Sequence, residues 1–412
     1  MNTDGSRPGP LGLGGTRWPF LARFLEGVLG HRTAALLLLA AFLYVPLTFL
    51  GYGTDPDSYR VVRTSERLLR SGVYRPSRPP GYFLHEIVST ALVALGGSVA
   101  ANLGTVVLSL VCIYAFLEIC RHHRIPRAHL LALLMISQPR YWASSTATID
   151  YLWALAPAML GYLASLKDRN LLAGSLLGLA IGTRLSSGAF MLAVLGSWLA
   201  SGRLSARRGL VLVGTASLVA IVLYLPQFVS SGCSLGFLTY VRPGWGLTNR
   251  LGAFAYRNVY FWGLQTVVAL LVLSPLIARR AVRSFAGEHR EAMVFALVLI
   301  AAEEGLLLMA PLEEEYLLPI LPAALMIVGL SLRGERRPLL ILLAASLSFN
   351  VVSLNLVRGQ LDKHQIAATL GLWVEPGHLV REVTRRVEIQ RWLASGHSLR
   401  QVIDRLEHVR AR

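Results

Sequence analysis

Lysine is nearly absent from this chain. Of its 40 basic residues only Lys167 and Lys363 are lysine and the rest are arginine, a bias that fits a GC-rich bacterial genome and says nothing of mechanism. Cysteine is scarce as well. Cys112, Cys120 and Cys233 show no metal-ligand spacing, and the first two share one apolar segment, which excludes a disulfide framework and a zinc site. Charge of any kind is thin: 15% of residues are charged against 54% hydrophobic. That balance excludes a soluble domain and indicates a polytopic membrane protein. A net charge of +17 would suggest nucleic acid in a soluble chain, but here arginines cluster at the ends of apolar segments, where topology places them. No nucleic-acid partner is expected. No small-residue cleavage site follows the first apolar run, so that run is expected to be a retained helix. No internal repeat is visible at residue level, which disfavours the inverted-repeat transporter folds.

Apolar segments long enough to cross, or nearly cross, a hydrocarbon core of about 30 Å lie near 33–51, 100–120, 128–141, 150–166, 170–185, 186–201, 209–227, 258–277, 291–310, 316–332 and 338–357. The expected fold is therefore all-α, with about eleven transmembrane helices. Alternate breaks are dense in basic residues: Arg121, Arg124 and Arg127; Lys167 and Arg169; Arg203, Arg207 and Arg208; Arg279, Arg280 and Arg283; Arg333, Arg336 and Arg337. The positive-inside rule puts these in the cytoplasm together with the N-terminus, and puts the tail outside. The chain divides into a cytoplasmic segment 1–32, a membrane domain 33–357 and an outward-facing tail 358–412, in the inner membrane of a bacterium. The tail, which contains Trp392 to Leu406, is expected to form two or three short amphipathic helices with a packing role.

The first outer loop, 52–99, is basic although it faces outward. Its arginines are periodic. Arg60, Arg63, Arg67 and Arg70 recur at intervals of three and four, which stacks them on one face of a helix, while Tyr59, Val62 and Leu69 fall together on another. Such a helix can lie in the membrane interface, followed by a second amphipathic stretch at 82–97 after the turn Arg78-Pro79-Pro80-Gly81. A further outer loop, 228–257, contributes Arg242, Trp245, Arg250 and Arg257.

Outside the tail, the outward side collects Asp55, Asp57, Glu66, Glu86, Asp150, Glu303, Glu304, Glu313, Glu314 and Glu315, so any site opens outward. Asp55 is placed to cap the loop helix, with Pro56 at its first position and Asp57 in its first turn. Capping accounts for Asp55 and leaves more to explain in Asp57, since an ionised carboxylate at a membrane surface can act as a general base or help to hold a divalent cation. Glu303 and Glu304 sit inside a span, where carboxylates are costly. Adjacent helical residues point about 100° apart, so one of them, taken as Glu304, is expected to face a cavity.

An acidic pair just after the first span, an aromatic two residues on, and the turn Tyr74-Arg75-Pro76-Ser77-Arg78-Pro79-Pro80-Gly81-Tyr82 resemble the first outer loop of GT-C glycosyltransferases. These are polytopic enzymes that take sugars from polyprenyl-phosphate carriers and include protein mannosyltransferases and the aminoarabinose transferases of lipid A. Asp150 is similar to the family's second acidic position. Gly174, Gly178, Gly182, Thr183 and Arg184 resemble its glycine-rich span ending in arginine, and Tyr316-Leu317-Leu318-Pro319 with Pro322 resembles its late Tyr-Leu-Leu-Pro start. Glu315 departs from the pattern, because relatives often carry a basic residue there.

The resemblance implies a hexosyl-type transferase of the cell envelope that moves a sugar from a polyprenyl-phosphate carrier to a hydroxyl of a glycan, lipid or protein acceptor. It implies Asp57 as base, with Asp55 as a second candidate, and Asp150 as orienting the acceptor or sharing a cation (Mg or Mn, held by Asp57 and Asp150). Arg78 and Arg184 would receive the carrier phosphate. Tyr59, Tyr82, His85, Glu86, Glu304 and Tyr316 would line the substrate cavity. A transporter or flippase, or a polymerase or ligase, of lipid-linked glycans is the alternative.

Overall fold

The computed structural model describes residues 30–235, 246–361 and 366–410. The segment before residue 30, and Arg242 and Trp245 of the later outer loop, lie outside the described residues. From the N-terminal end come α1 (His31–Tyr44, continued by a 3-10 turn, Val45–Phe49), α2 (Pro56–Ser71), α3 (Phe83–His122), α4 (Ala128–Ser137), α5 (Pro139–Ser145) and α6 (Tyr151–Leu166). Next are α7 (Asn170–Thr183), α8 (Gly188–Ala200), α9 (Ala206–Ser230), α10 (Leu247–Trp262), α11 (Leu264–Ala286), α12 (Arg290–Met309), α13 (Ile320–Leu332) and α14 (Arg336–Val351). Strands β1 (Val352–Leu361) and β2 (Ile366–Pro376) then precede α15 (His378–Ala394) and α16 (Leu399–Arg410).

Each apolar window of the sequence carries a helix. Five helical stretches, His31–Phe49, Phe83–His122, Ala206–Ser230, Leu264–Ala286 and Arg290–Met309, are long and apolar enough to cross a membrane. Five more, including Tyr151–Leu166, Asn170–Thr183 and Ile320–Leu332, are apolar but shorter. The expected division between the amphipathic stretch at 82–97 and the span at 100–120 is visible inside α3, where Gly96 and Gly97 leave helical geometry and Gly97 takes φ +60°. Only glycine adopts that conformation without strain, so one continuous run of apolar sequence becomes two helical arms.

The alternating basic breaks meet one another in space. Arg127 Nε donates to the Gly334 carbonyl at 3.0 Å, Arg203 bonds both Glu291 (2.8 Å) and the Ser165 carbonyl (2.9 Å), and Arg280 pairs with Glu335. The acidic outer-loop residues and the C-terminal helices gather at the other ends of the same helices. One face of the bundle is thus arginine-rich and the opposite face carries the mixed charges.

Two expectations need correction. The tail begins with an antiparallel hairpin, not with helices, and its first strand starts inside the last apolar window, at Val352. The residues Val352-Ser353-Leu354-Asn355-Leu356 alternate apolar and polar with period two, the pattern of a strand, whereas their bulk hydrophobicity reads equally well as helix. The outer loop 228–257 also contains a helix, α10, so the following span begins at Leu264 after a break at Gly263, where a Cβ would stand 2.5 Å from the Phe349 ring.

Apolar burial explains how the tail docks. Tyr59 of α2 forms a small buried cluster with Ile389 of α15 and Val402, Ile403 and Leu406 of α16. The apolar face of α2 is therefore covered by the tail, while Leu69, expected on the same face, is 55% exposed. Arg386 of α15 is fully buried, with Nε 2.8 Å from Glu382 and Nη1 2.8 Å from the Thr146 carbonyl, and Glu382 accepts from Thr54 at 2.7 Å. Arg386→Met should weaken docking by about 1.5–3 kcal/mol, the worth of a charged hydrogen-bond set, because Glu382 keeps the Thr54 hydroxyl. Limited proteolysis checks this: faster cleavage between Gly377 and Ser398 is expected, and an unchanged cleavage rate refutes it.

Candidate active site

The site is assembled from four loop-proximal positions. Asp55 caps α2, its Oδ1 accepting the Asp57 amide at 2.8 Å, with Pro56 at the first helical position and Gly72 in the left-handed conformation closing the helix. The cap fixes Asp57 in the first turn of α2. Its Oδ2 lies 2.9 Å from Arg78 Nε, and its Oδ1 pairs with Arg60, which also pairs with Glu407 of α16. Arg78 reaches onward, Nη2 standing 2.6 Å from Asp150 Oδ1. The other Asp150 oxygen is 2.5 Å from Arg184 Nη1. Asp57, Arg78, Asp150 and Arg184 thus alternate in sign along one chain of contacts.

Arg184 owes its position to glycine. A Cβ on Gly174 would stand 2.8 Å from the Leu212 carbonyl, and one on Gly178 2.7 Å from the Ala216 carbonyl. The small-residue stripe of α7 therefore lies directly against the α9 backbone, and Arg184, as the C-cap of α7, is delivered to the same end as Asp150 at the N-cap of α6. The turn that holds Arg78 is clasped by Glu86, which accepts from the Tyr74 hydroxyl at 2.5 Å and the Ser77 amide at 2.8 Å.

The charges are largely dry. Asp150 is fully buried, and the Arg78 and Arg184 side chains are 13% and 11% exposed. Burial pushes the Asp150 carboxyl up, but Arg184 and then Arg78 pull it down further, so it lies well below the ordinary carboxylate range. The guanidiniums rest on aromatic faces: Arg78 is 4.1 Å from the Tyr82 ring centre, and Arg184 is 4.1 Å from that of Tyr151 and 5.2 Å from that of Tyr316. The buried polar atoms without a hydrogen-bond partner include Arg78 Nη1 and both ring nitrogens of His85, whose ring meets Trp153 edge-on at 5.4 Å. Leaving such atoms unmatched costs about 1–3 kcal/mol each.

Of the residues the sequence nominated, Asp57, Asp150, Arg78, Arg184, Tyr82 and Tyr316 come together, with His85 buried behind Arg78 and Asp150. Asp55 serves as a cap, Glu86 as the clasp of the turn, and Tyr59 as an anchor for the tail. Glu303, not Glu304, is the buried member of its pair; Glu304 is only partly buried and accepts from Asn258 at 3.0 Å. A second cluster escaped the sequence reading. Arg140 pairs with Glu314 and with Glu315 (Nη1–Oε1 2.8 Å), Arg257 also pairs with Glu314, and the Tyr151 hydroxyl donates to Glu313. The acidic residue before Tyr316, which departs from the family pattern, thus recruits Arg140 and returns a cation to that side of the site. The available signal was a lone arginine in an outward break facing three consecutive glutamates.

Among the described residues no group of three or more His, Cys, Asp or Glu is placed to hold a metal ion. Asp57 and Asp150, the expected ligands of a divalent cation, are bridged by the Arg78 guanidinium, so the donor set fits a metal poorly.

The bundle, with a buried chain of alternating acidic and basic side chains at one end, shares its fold with solved structures of ArnT. It superposes on ArnT from Cupriavidus metallidurans in the apo state (TM-score 0.51, 16% identity, 73% of this chain and 59% of that chain) and on the same protein bound to undecaprenyl phosphate (TM-score 0.52, 17% identity, 75% and 60%). The chain therefore spans about three fifths of the length of those chains. No protein-family model and no curated protein sequence matches it.

Proposed function

We propose that this protein is a membrane glycosyltransferase that moves a sugar from a polyprenyl-phosphate carrier to a hydroxyl acceptor on the outer face of a bacterial inner membrane. About eleven helices would cross the membrane, the ten apolar ones together with α14, with the arginine-rich face in the cytoplasm. The observation that carries the reading is the orphaned Arg78 Nη1, a buried cationic donor between Asp57 and Asp150 with no acceptor of its own. A phosphate oxygen is the acceptor best suited to it, since guanidinium and phosphate form short charge-assisted bonds.

In the reaction an acceptor oxygen attacks the anomeric carbon, forming the new glycosidic bond as the bond from that carbon to the phosphate oxygen breaks. The bonding pair leaves on the carrier phosphate. Arg78 and Arg184 would stabilise that growing charge, as fixed cations in a water-poor site do best, and Asp57 would take the hydroxyl proton. A phosphate seated between the arginines also competes with the carboxylates for them, which frees Asp57 for this task. Tyr82, Tyr151 and Tyr316 keep water from the guanidiniums. Charges gathered at one end of the bundle suit an enzyme better than a flippase, which needs them along a path.

The test is incubation of the purified protein in lipid with a panel of polyprenyl-phosphate sugars, following release of free carrier phosphate; no release with any donor refutes the reading. Arg78→Ala and Arg184→Ala should each weaken donor use by about 1.5–3 kcal/mol, roughly 10- to 150-fold in kcat/KM. Near-wild-type donor dependence in both variants would leave these arginines a purely structural role.

A further inference from the structure

On the face opposite the site, a cavity of about 650 Å³ opens between the first turn of α1, the start of α4 and the turn after α13. Arg32, Arg127, Arg333 and His129 line it, with Leu36 and Leu130 at its apolar wall. The positive-inside rule accounts for arginines on this face but not for this arrangement. Some other arginines of the face pair with carboxylates: Arg121 with Glu118, Arg203 with Asp168 and Glu291, and Arg280 with Glu335. No acidic residue lines the cavity, and among the described residues Arg32, Arg127 and Arg333 make no ion pair. Three cations converge there unneutralised. The Gly334 carbonyl holds Arg127 by its Nε alone, and His129 Nε2 is buried without a hydrogen-bond partner.

The cavity is continuous with a surface suited to hydrocarbon. Ala35, Leu39 and Phe42 of α1 recur at helical spacing and are exposed, Leu39 by 41% and Phe42 by 76%. A ligand matching both features has a negative head and an apolar chain. We propose that this cavity binds the headgroup phosphate of an anionic phospholipid, whose acyl chain runs along Ala35, Leu39 and Phe42. The site is independent of the transfer reaction at the other face, and its recognition follows the logic of basic pockets between membrane helices.

The experiment is native mass spectrometry and thermal unfolding of the full chain, purified in zwitterionic phosphatidylcholine and titrated with phosphatidylglycerol. The wild type should retain one phosphatidylglycerol and gain several degrees in melting temperature. The variant Arg32→Gln/Arg333→Gln, altered only at exposed side chains, should melt as the wild type does in phosphatidylcholine yet bind phosphatidylglycerol at least tenfold more weakly. Arg207→Gln, an exposed arginine of the same face outside the cavity, should bind as the wild type. Equal retention by the double variant, or equal loss in Arg207→Gln, would overturn the proposal. So would equal protection by soluble glycerol 3-phosphate, which would make the ligand a free phosphate, or by phosphatidylcholine alone.

Discussion

Asp57→Asn is expected to lower turnover by about 10²–10⁴-fold, the contribution of a positioned general base, with little change in donor KM. The substitution keeps the size of the side chain and its place in the first turn of α2, and removes the charge and basicity. The cost in stability should be small, about 1–2 kcal/mol, because both cations on Asp57 have other partners, Arg78 in Asp150 and Arg60 in Glu407. Asp55→Asn is the control. Its role is to accept the Asp57 amide, and asparagine caps as well as aspartate does. Single-turnover release of carrier phosphate separates the outcomes: a severe Asp55 variant beside an active Asp57 variant reverses the assignment, and two active variants exclude the mechanism.

Asp150→Asn should act on stability first. It leaves Arg78 and Arg184 buried around a neutral amide, and breaking a buried ion pair by removing one partner costs about 3–5 kcal/mol, a large part of the stability of an ordinary protein. A collapse in the yield of monodisperse protein, or a melting temperature lower by many degrees, is expected. Arg184→Met in the same chain removes one orphaned charge and should recover part of the loss, a coupling that a double-mutant cycle reads directly.

The pH dependence has a definite sign. Because folding lowers the Asp150 pKa, its stabilisation is complete above the ordinary carboxylate value of about 3.9 and is lost only as pH falls towards the lower folded value. The gap between wild type and Asp150→Asn should therefore stay constant from neutral pH to about pH 5 and narrow only in stronger acid. A gap that closed between pH 7 and pH 5 would mean that Asp150 is not the group holding the two arginines.

Features that depend on neighbours in sequence were legible before the fold was known. The cap at Asp55, the first-turn place of Asp57 and the glycine stripe leading to Arg184 each rest on a few nearby residues whose backbone demands are specific. Contacts between distant residues were not legible. Arg140 and Glu315 are 175 positions apart, and no local spacing announces their pairing. Glu303 and Glu304 could not be ranked, because the orientation of α12 is set by its packing against α8 and α13. The hairpin at Val352 was missed for another reason, since a short apolar run states that it is buried more clearly than it states its secondary structure.

The buried Arg386 and the Tyr59 cluster join α15 and α16 to the loop that follows α1, and this sets an order of assembly. A ribosome releases α2 early and α16 only after α3 to α15 have been made. The loop that carries Asp57 therefore waits, its apolar face uncovered, until α15 and α16 have been made and have reached the same side. A chain cut short by premature termination would insert its helices yet leave that loop without its partner. Synthesis through α16 thereby becomes the condition for covering the apolar face of α2 beside Asp57.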